Sequence, residues 1–308
     1  MRCGRMAGVK AMEPAASDIA FATMVGDEPV FLPIWINYYA RFVPKSQLFI
    51  LVDGLHRTVP PEAEGCQVIR LPSVTPGPGW DVARWRMISL FTQSLLLRFD
   101  MVVFTDVDEI LLADPAQGGD LLGHIGRARE VGVISPFAIE LLNRIDLEPD
   151  ALDPTRPVLA QRRFGRINAS YCKPCITARP INWSIGGHYS DYPTLHLDPA
   201  LFLFHLRFVD HAMLRDRQAS RQAMMQPGAA KGAEVAGAGW LKGAQDMTDF
   251  LQSFVDAGPP LDSDFSFGWQ RKRIIDSWEH DAEAGIWRHA RLHNRKTYRL
   301  PDRIQDQF

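Results

Sequence analysis

The sequence predicts an α/β fold in which helices flank a mostly parallel sheet, followed by a C-terminal helical extension. Short apolar runs and amphipathic stretches alternate over the first 110 or so residues, a pattern typical of parallel sheets wrapped by helices. The run MVVF at 101–104 is short, continuous and bounded by charge, as expected of a strand buried on both faces. With 308 residues, the chain is long enough to bury a sizeable core.

The elements of the first half follow from apolar spacing and from the residues that end each run. IAFATMV predicts a first strand, and the next residues predict a turn in which Asp27 caps a helix and Pro29 occupies its first turn. Trp35 and Tyr38 fall at helical spacing in that helix, which places them in the core. The predicted elements are strands at 19–25, 47–52, 66–71 and 101–104, helices at 29–42 and 81–98, and a Pro/Gly loop at 72–79.

The alternation of strands and helices ends after Pro115. Strands are expected at 131–135 and 201–208, strand-like pieces at 162–188, a surface loop at 148–157 and amphipathic helices at 240–308. The Gly/Ala-rich segment at 226–239 is expected to be a flexible loop or a poorly formed helix. The predicted organisation is a disordered leader at 1–16, an α/β domain at 17–225, and a flexible loop with the C-terminal helical extension at 226–308.

Composition limits the partners and the compartment. A formal net charge of -2 and a pI near 6.5 argue against binding to nucleic acid through bulk positive charge. No run approaches the roughly 20 apolar residues of a membrane span, and the first dozen residues lack a secretory signal. Of the four cysteines, Cys172 and Cys175 are expected to be buried or incidental thiols. We therefore predict a cytoplasmic protein, and association with the inner face of the membrane stays open.

The stretch MVVFTDVDEILLADP carries three acids directly after its buried strand: Asp106, Asp108 and Glu109. Crowded carboxylates raise one another's pKa unless a cation intervenes, so the cluster predicts a divalent metal or a shared proton. Asp53 also lies at the carboxyl end of a predicted strand. Because ligands of such sheets bind beyond the carboxyl ends of the strands, Asp53 and the cluster are expected to face one crevice.

Two classes of enzyme place Asp-x-Asp at the end of a strand. In haloacid dehalogenase-like phosphatases the first Asp is a nucleophile, a role that would fall to Asp106. The surrounding pattern is similar, but no convincing Gly-Asp-x-x-x-Asp motif follows it, and that family places its motif near the N-terminus. In metal-dependent glycosyltransferases the motif follows about a hundred residues of nucleotide-binding βα units, as it does here.

Several motifs occur in an order that extends this second similarity. Asp27-Glu28, Asp53-Gly54 and FTDVDEILLADP are followed by Lys173-Pro174, WSIGGH and LFLFHLR. Together these motifs span roughly 19–217, and the chain resembles the bacterial glycosyltransferase family 2-like group of the GT-A type. The resemblance implies a GT-A-like, Rossmann-like fold and a hexosyltransferase that moves a sugar from a UDP- or GDP-linked donor to a glycan, lipid-linked or small acceptor.

The same resemblance implies roles for individual residues. Mn²⁺ or Mg²⁺ would be held against the donor diphosphate by Asp106 and Asp108, with His205 as the first choice for a further ligand and His188 as the second. The residues expected to bind the donor itself are Asp53 at the nucleobase or ribose, Asp106, and Lys173 with one of Arg84 and Arg86 at the diphosphate.

The residue that activates the acceptor is not defined by the sequence. Inverting transfer needs a general base, and the candidates are Asp191, Asp198, Asp210 and Glu140. The Glu-Asp pair usual in the family is not visible, and the helix start reads Gly-Asp-Glu where many relatives have Lys-Asn-Glu. A non-catalytic protein that binds a nucleotide sugar or a glycan is therefore a second alternative.

Overall fold

The computed structural model describes residues 18–77, 79–224, 243–292 and 295–308. Its first half supplies four strands of a central sheet: β1 (Ile19–Val25), β2 (Leu48–Asp53), β3 (Gln67–Leu71) and β4 (Met101–Phe104). These strands are parallel and lie in the spatial order β3-β2-β1-β4. The predicted α/β fold with a parallel central sheet flanked by helices is confirmed, and all four strands lie within one or two residues of their predicted bounds.

Helices pack on both faces of this sheet. Successive side chains of a strand point to opposite faces, and the apolar side chains on each face are buried against a helix. Ile19 and Phe21 of β1 pack in the cluster that includes α1 (Phe31–Tyr39), whereas Ala20 and Ala22 pack with α2 (Trp80–Leu95). Trp35 and Tyr38 of α1 are buried, as predicted.

The start of α1 differs from the prediction. The helix begins at Phe31, whose amide donates to Glu28 Oε1 at 3.2 Å. Asp27 forms no cap, because its carboxylate pairs with Arg57 at 2.6 Å. A contact between residues 30 positions apart in sequence has therefore replaced the local one.

The second half adds strands on the β4 side of the sheet. The added strands are β5 (Glu109–Ala113), β6 (Val133–Leu142), β7 (Phe164–Ile167), β8 (Ile176–Thr177), β9 (Leu197–Phe208) and β12 (Tyr298–Arg299). The whole ten-stranded sheet of the described residues has the order β12-β7-β6-β8-β4-β1-β2-β3, and β9 pairs with both β6 and β5. On this side of the described sheet, all pairings are antiparallel except that between β6 and β9, which is parallel.

Strand β6 is ten residues long and buried throughout, although the sequence predicts a strand only at 131–135. The reason is Pro136, which suggests the end of a strand. The register between β6 and β9 shifts between Ser135 and Phe137. A local irregularity of this kind allows the strand to continue past the proline.

Six further α-helices lie in the described residues after β4: α3 (Leu121–Gly126), α4 (Ala128–Val131), α5 (Val158–Gln161), α6 (His211–Met224), α7 (Ala244–Asp256) and α8 (Gly268–Asp276). The prediction of helices throughout 240–308 is correct only for α7 and α8. The same region contains a hairpin of β10 (Glu279–Asp281) and β11 (Ile286–Arg288), and β12 joins the main sheet. The predicted leader and the predicted loop at 226–239 lie outside the described residues. Where the chain is described, no helix is long and apolar enough to cross a membrane.

Candidate functional site

A cavity of about 1110 Å³ lies at the carboxyl ends of β1, β2 and β4. Asp53, Asp106 and Asp108 all line it, together with His188 and His205. The parallel arrangement explains this convergence, because each strand ends at the same edge of the sheet. The cavity wall also includes the described loop residues 73–76 and parts of α2 and α6.

The acidic cluster has a cation of its own, Lys173. The ammonium lies 2.7 Å from Glu109 Oε2 and 3.2 Å from Asp106 Oδ2, and both Glu109 and Lys173 are buried. Burial alone would lower the pKa of Lys173, but the two carboxylates raise it above its ordinary value. Lys173 is not among the described residues that line the cavity, so in this structure it supports the cluster from behind.

Asp108 faces a different set of cations. Its Oδ2 lies 3.5 Å from Arg217 Nη2 and 3.9 Å from His205 Nε2. Burial opposes its ionisation, but His205 and the arginines of β9 and α6 lower the pKa of Asp108 to about 2. Asp108 is therefore a carboxylate at neutral pH, and its charge is already matched by positive neighbours.

His205 is oriented by Glu140, a residue that the sequence suggested as a base. The two residues are paired across β6 and β9, and His205 Nδ1 lies 3.0 Å from Glu140 Oε1. Arg166 donates to the other carboxylate oxygen, and Tyr171 stacks on the imidazole with ring centroids 4.1 Å apart. With Nδ1–H donated to Glu140, Nε2 is the nitrogen left to face Asp108.

The two predicted histidines occupy different surroundings. His188 also lines the cavity, but its Nδ1 lies 2.8 Å from the carbonyl oxygen of Ser170. Burial, with Lys173 nearby, lowers the pKa of His188 to about 4. His188 is therefore neutral at physiological pH.

The turn before His188 depends on two glycines, Gly186 and Gly187, with φ of 76° and 67°. A Cβ on Gly187 would clash with the ring of Trp85 at Cη2. We expect Gly187→Ala to lower the free energy of unfolding by about 2–4 kcal/mol, because it adds backbone strain to a clash in the core. Urea denaturation measures this loss.

Gly285→Ala is the matched control. Gly285 has nearly the same φ, 65°, and nothing lies within 4 Å of the position of its Cβ. It should lose only the backbone contribution of about 1–2 kcal/mol. Equal losses in the two variants would contradict a role for the contact with Trp85.

The four base candidates do not line the cavity. Glu140 lies behind His205; Asp198 pairs with Arg127 at 2.8 Å; Asp210 accepts from the amides of Leu152 and Met213; and Asp191 accepts from Asn182. Four further carboxylates line the cavity, none of which the sequence assigned to metal, donor or base: Asp27, Glu28, Asp81 and Asp216. Of these, Glu28 has a pKa raised by burial, although Arg217 opposes the shift.

Arginines also line the cavity. Arg84 does so and donates to Asp81 at 2.9 Å, whereas Arg86 is not among the lining residues. Arg207, Arg217 and Arg221 were missed by the sequence argument. Two spacings could have indicated them: Arg207 is two residues after His205 on a strand, and the other two are one turn apart on a helix.

The predicted metal ligands fit a divalent ion in part. Asp108 and His205 present neighbouring oxygen and nitrogen donors to the cavity, while Asp106 is held by Lys173. Among the described residues, no group of three or more His, Cys, Asp or Glu side chains is placed to hold a metal. An ion at Asp108 and His205 would therefore take its remaining ligands from phosphate and water, as Mg²⁺ commonly does.

The neighbouring Cys172 and Cys175 are buried free thiols, as predicted. Burial raises the pKa of Cys172 to about 12 and also raises the pKa of Cys175. Both side chains are therefore protonated packing groups next to Lys173, and neither is a candidate nucleophile.

No family model matches the chain, and no curated protein matches it. Among solved structures, mannose-1-phosphate geranyltransferase from Thermus thermophilus is similar over 70% of this chain, with 12% sequence identity and a TM-score of 0.26. The match covers 66% of that chain, so this chain spans just under two thirds of its length. A likeness of this strength supports no statement about activity.

Proposed function

We propose that the chain is a glycosyltransferase that takes a sugar from a nucleotide-sugar donor with the help of Mn²⁺ or Mg²⁺. The observation that carries the proposal is the cavity at the carboxyl ends of the parallel strands. It combines Asp53, Asp106 and Asp108 with a group of arginines. Carboxylates for a metal and arginines for phosphate oxygens are the two kinds of group that a nucleoside diphosphate requires.

The cavity offers separate surroundings for the parts of the donor. The 73–76 loop lies against Asp53, where the Ser73 hydroxyl donates to the Asp53 carbonyl oxygen at 3.2 Å. Trp80 also lines the cavity and offers an aromatic face suited to a nucleobase. Arg84 follows on the same helix, with its guanidinium 5.2 Å from the ring centre of Trp80. In the proposed arrangement the nucleoside lies by Asp53, and the diphosphate extends past Arg84 towards Asp106 and Asp108.

Asp108 and His205 are the proposed metal ligands, and Glu140 is a positioning residue for His205. When bound, the ion would neutralise the charge that develops on the departing nucleoside diphosphate. Because cations already surround Asp108, a divalent ion alone would meet repulsion there. A diphosphate that enters with the metal removes this repulsion, so metal and nucleotide should bind together.

Thermal unfolding with a panel of UDP- and GDP-sugars, each with and without Mn²⁺, tests the proposal. We expect Mn²⁺ alone to stabilise little, and Mn²⁺ with the correct nucleotide sugar at about 100 times its Kd to raise Tm by roughly 5 °C or more. Asp108→Asn should lose the Mn²⁺-dependent part. Asp191→Asn is the control, because it makes the same change to an exposed acid outside the cavity.

The result also separates the alternatives. Equal Mn²⁺-dependent stabilisation in Asp108→Asn would refute the proposed metal site. Stabilisation without turnover of any donor would favour a binding protein. Hydrolysis of a phosphomonoester that is abolished by Asp106→Asn, without binding of any nucleotide sugar, would favour a haloacid dehalogenase-like phosphatase.

The acceptor, proposed to be a glycan, a lipid-linked sugar or a small molecule, would approach the same cavity from solvent. A cytoplasmic location, with or without attachment to the inner face of the membrane, is part of the same proposal. The organisation into an α/β domain at 17–225 with a C-terminal extension is likewise proposed.

A further inference from the structure

Three arginines converge on one wall of the cavity. Arg207 lies on β9, two residues after His205, and Arg217 and Arg221 lie one turn apart on α6. All three line the cavity. They also act on Asp108, since each of them lowers its pKa. By contrast, the cations that lower the pKa of Asp106 against the effect of burial are Lys173 and Arg84, so the two acids of the Asp-x-Asp motif face different groups of cations.

The three arginines of this wall differ in how their charges are matched. Arg217 pairs with Glu28 at 2.9 Å and with Asp108 at 3.5 Å. Within the described part of the chain, Arg207 forms no ion pair; it donates to the neutral amide oxygen of Gln218 at 3.4 Å. Burial, with repulsion from Arg207 and Arg217, lowers the pKa of Arg221 to about 10. Such crowding favours the entry of an anion.

Hydrogen-bonding capacity on this wall is also unused. Among the described atoms, Nε of Arg207 and Nη1 of Arg217 are buried without a hydrogen-bond partner. A buried donor without a partner is unfavourable by about 1–3 kcal/mol. Small rotations of these side chains towards a bound anion would give both donors a hydrogen-bond partner. A guanidinium group can form two parallel hydrogen bonds to the oxygens of one phosphate.

We propose that Arg207, Arg217 and Arg221 form a binding site for a phosphate-class anion, and that this site works without a divalent metal. The role of the site in sugar transfer rests on the proposed function, whereas anion binding itself does not. The bound group is either the diphosphate of the donor or a phosphate carried by the acceptor. Both sources share the chemistry that the arginines recognise.

Calorimetric titration of the whole protein with inorganic pyrophosphate in EDTA tests the site. We expect binding by the unmodified protein and at least tenfold weaker binding in Arg207→Gln and Arg221→Gln. Arg207→Lys keeps the positive charge but loses the planar guanidinium group. Its affinity for pyrophosphate should therefore lie between that of the unmodified protein and that of Arg207→Gln. Arg215→Gln is the matched control, because Arg215 is an exposed arginine of α6 outside the cavity lining. It should bind as the unmodified protein does.

Thermal unfolding establishes that each variant is folded, and competition identifies the source of the phosphate. Displacement of pyrophosphate by UDP in EDTA assigns the site to the donor. Simultaneous binding of UDP and pyrophosphate assigns it to a phosphate on the acceptor.

Two results would overturn the inference: no binding of pyrophosphate in EDTA, or equal affinity in Arg207→Gln, Arg221→Gln and the unmodified protein. If nucleotide sugars are nevertheless turned over, only the anion site is refuted. If pyrophosphate binding depends on the arginines but no nucleotide sugar is turned over, only the proposed transferase function is refuted.

Discussion

Replacing Lys173 by methionine is expected to lower the free energy of unfolding by about 3–5 kcal/mol at pH 7, the usual loss when one partner of a buried ion pair is removed. Methionine fills much of the same volume, so the loss reflects charge more than packing. Burial already raises the pKa of Glu109 to about 7 with Lys173 in place, and the pKa would rise further without the cation, so Glu109 would have to take up a proton. Asp106 would lose its nearest positive neighbour. Urea denaturation monitored by circular dichroism measures the change.

The same substitution at an exposed pair is the control. Lys272 lies 2.6 Å from Asp276 on α8, with 74% and 56% of the two side chains exposed. Lys272→Met should change stability by less than about 1 kcal/mol, as surface pairs do. The double variant Lys173→Met with Glu109→Gln should recover at least half of the lost stability, because it removes the buried acid that has lost its cation. A single variant as stable as the unmodified protein would contradict the proposed role of Lys173.

The effect of Lys173 should also depend on pH. Burial alone would raise the pKa of Asp106, but Lys173 and Arg84 lower it below the ordinary value. An acid whose pKa is lower in the folded state than in the unfolded state stabilises the fold at pH values above its unfolded pKa of about 4. This stabilisation is lost as the pH falls through the pKa of the folded state. In Lys173→Met the pKa of Asp106 is no longer lowered by the ammonium group, so the difference in stability between the variant and the unmodified protein should narrow as the pH falls below about 4. A constant gap would indicate a packing effect.

The parallel half of the fold could be predicted because its signals are local. Met101–Phe104 is a strand at the predicted bounds, since an apolar run between charged residues has few other solutions. Strand β6 could not be predicted at full length, because its continuation past Pro136 depends on pairing with β9, a distant segment. The cap of α1 was wrong for a similar reason, since Arg57 engages Asp27.

For the candidate site as well, some features could be predicted from the sequence and others could not. The convergence of Asp53, Asp106 and Asp108 on one cavity follows from parallel topology. The partners of these acids do not follow from it. Lys173 is 67 positions from Asp106 in sequence, and Glu140 is 65 positions from His205. Which charged residues meet across strands depends on register, and register depends on the packing of the whole sheet.

In the proposed transferase, Glu140→Gln is expected to lower turnover of the nucleotide sugar by about 10- to 100-fold, the range found when the partner of a metal-binding histidine is removed. Burial opposes its ionisation, but Arg166 and His205 hold the pKa of Glu140 at about 2. The carboxylate is therefore charged throughout the working pH range. Glutamine preserves the shape of the side chain but not the charge that keeps the proton on Nδ1 of His205.

A loss of folding would also lower turnover, so the decisive measurement is the protonation pattern of the imidazole. Nitrogen-15 NMR of the unmodified protein should show His205 with the proton on Nδ1, and Glu140→Gln should shift the population towards Nε2–H. Glu148→Gln is the control: burial raises the pKa of Glu148 to about 7, and its Oε1 accepts from the amide of Arg163 outside the cavity. It should leave both the His205 signal and turnover unchanged.

If Glu140→Gln lowers turnover while the His205 signal stays the same, Glu140 acts through packing and not by orienting the imidazole. Nε2 of His205 faces Asp108 in the cavity and is the nitrogen proposed to bind the metal. A proton on Nε2 would occupy its lone pair, so the shift should also weaken Mn²⁺-dependent binding of the nucleotide sugar.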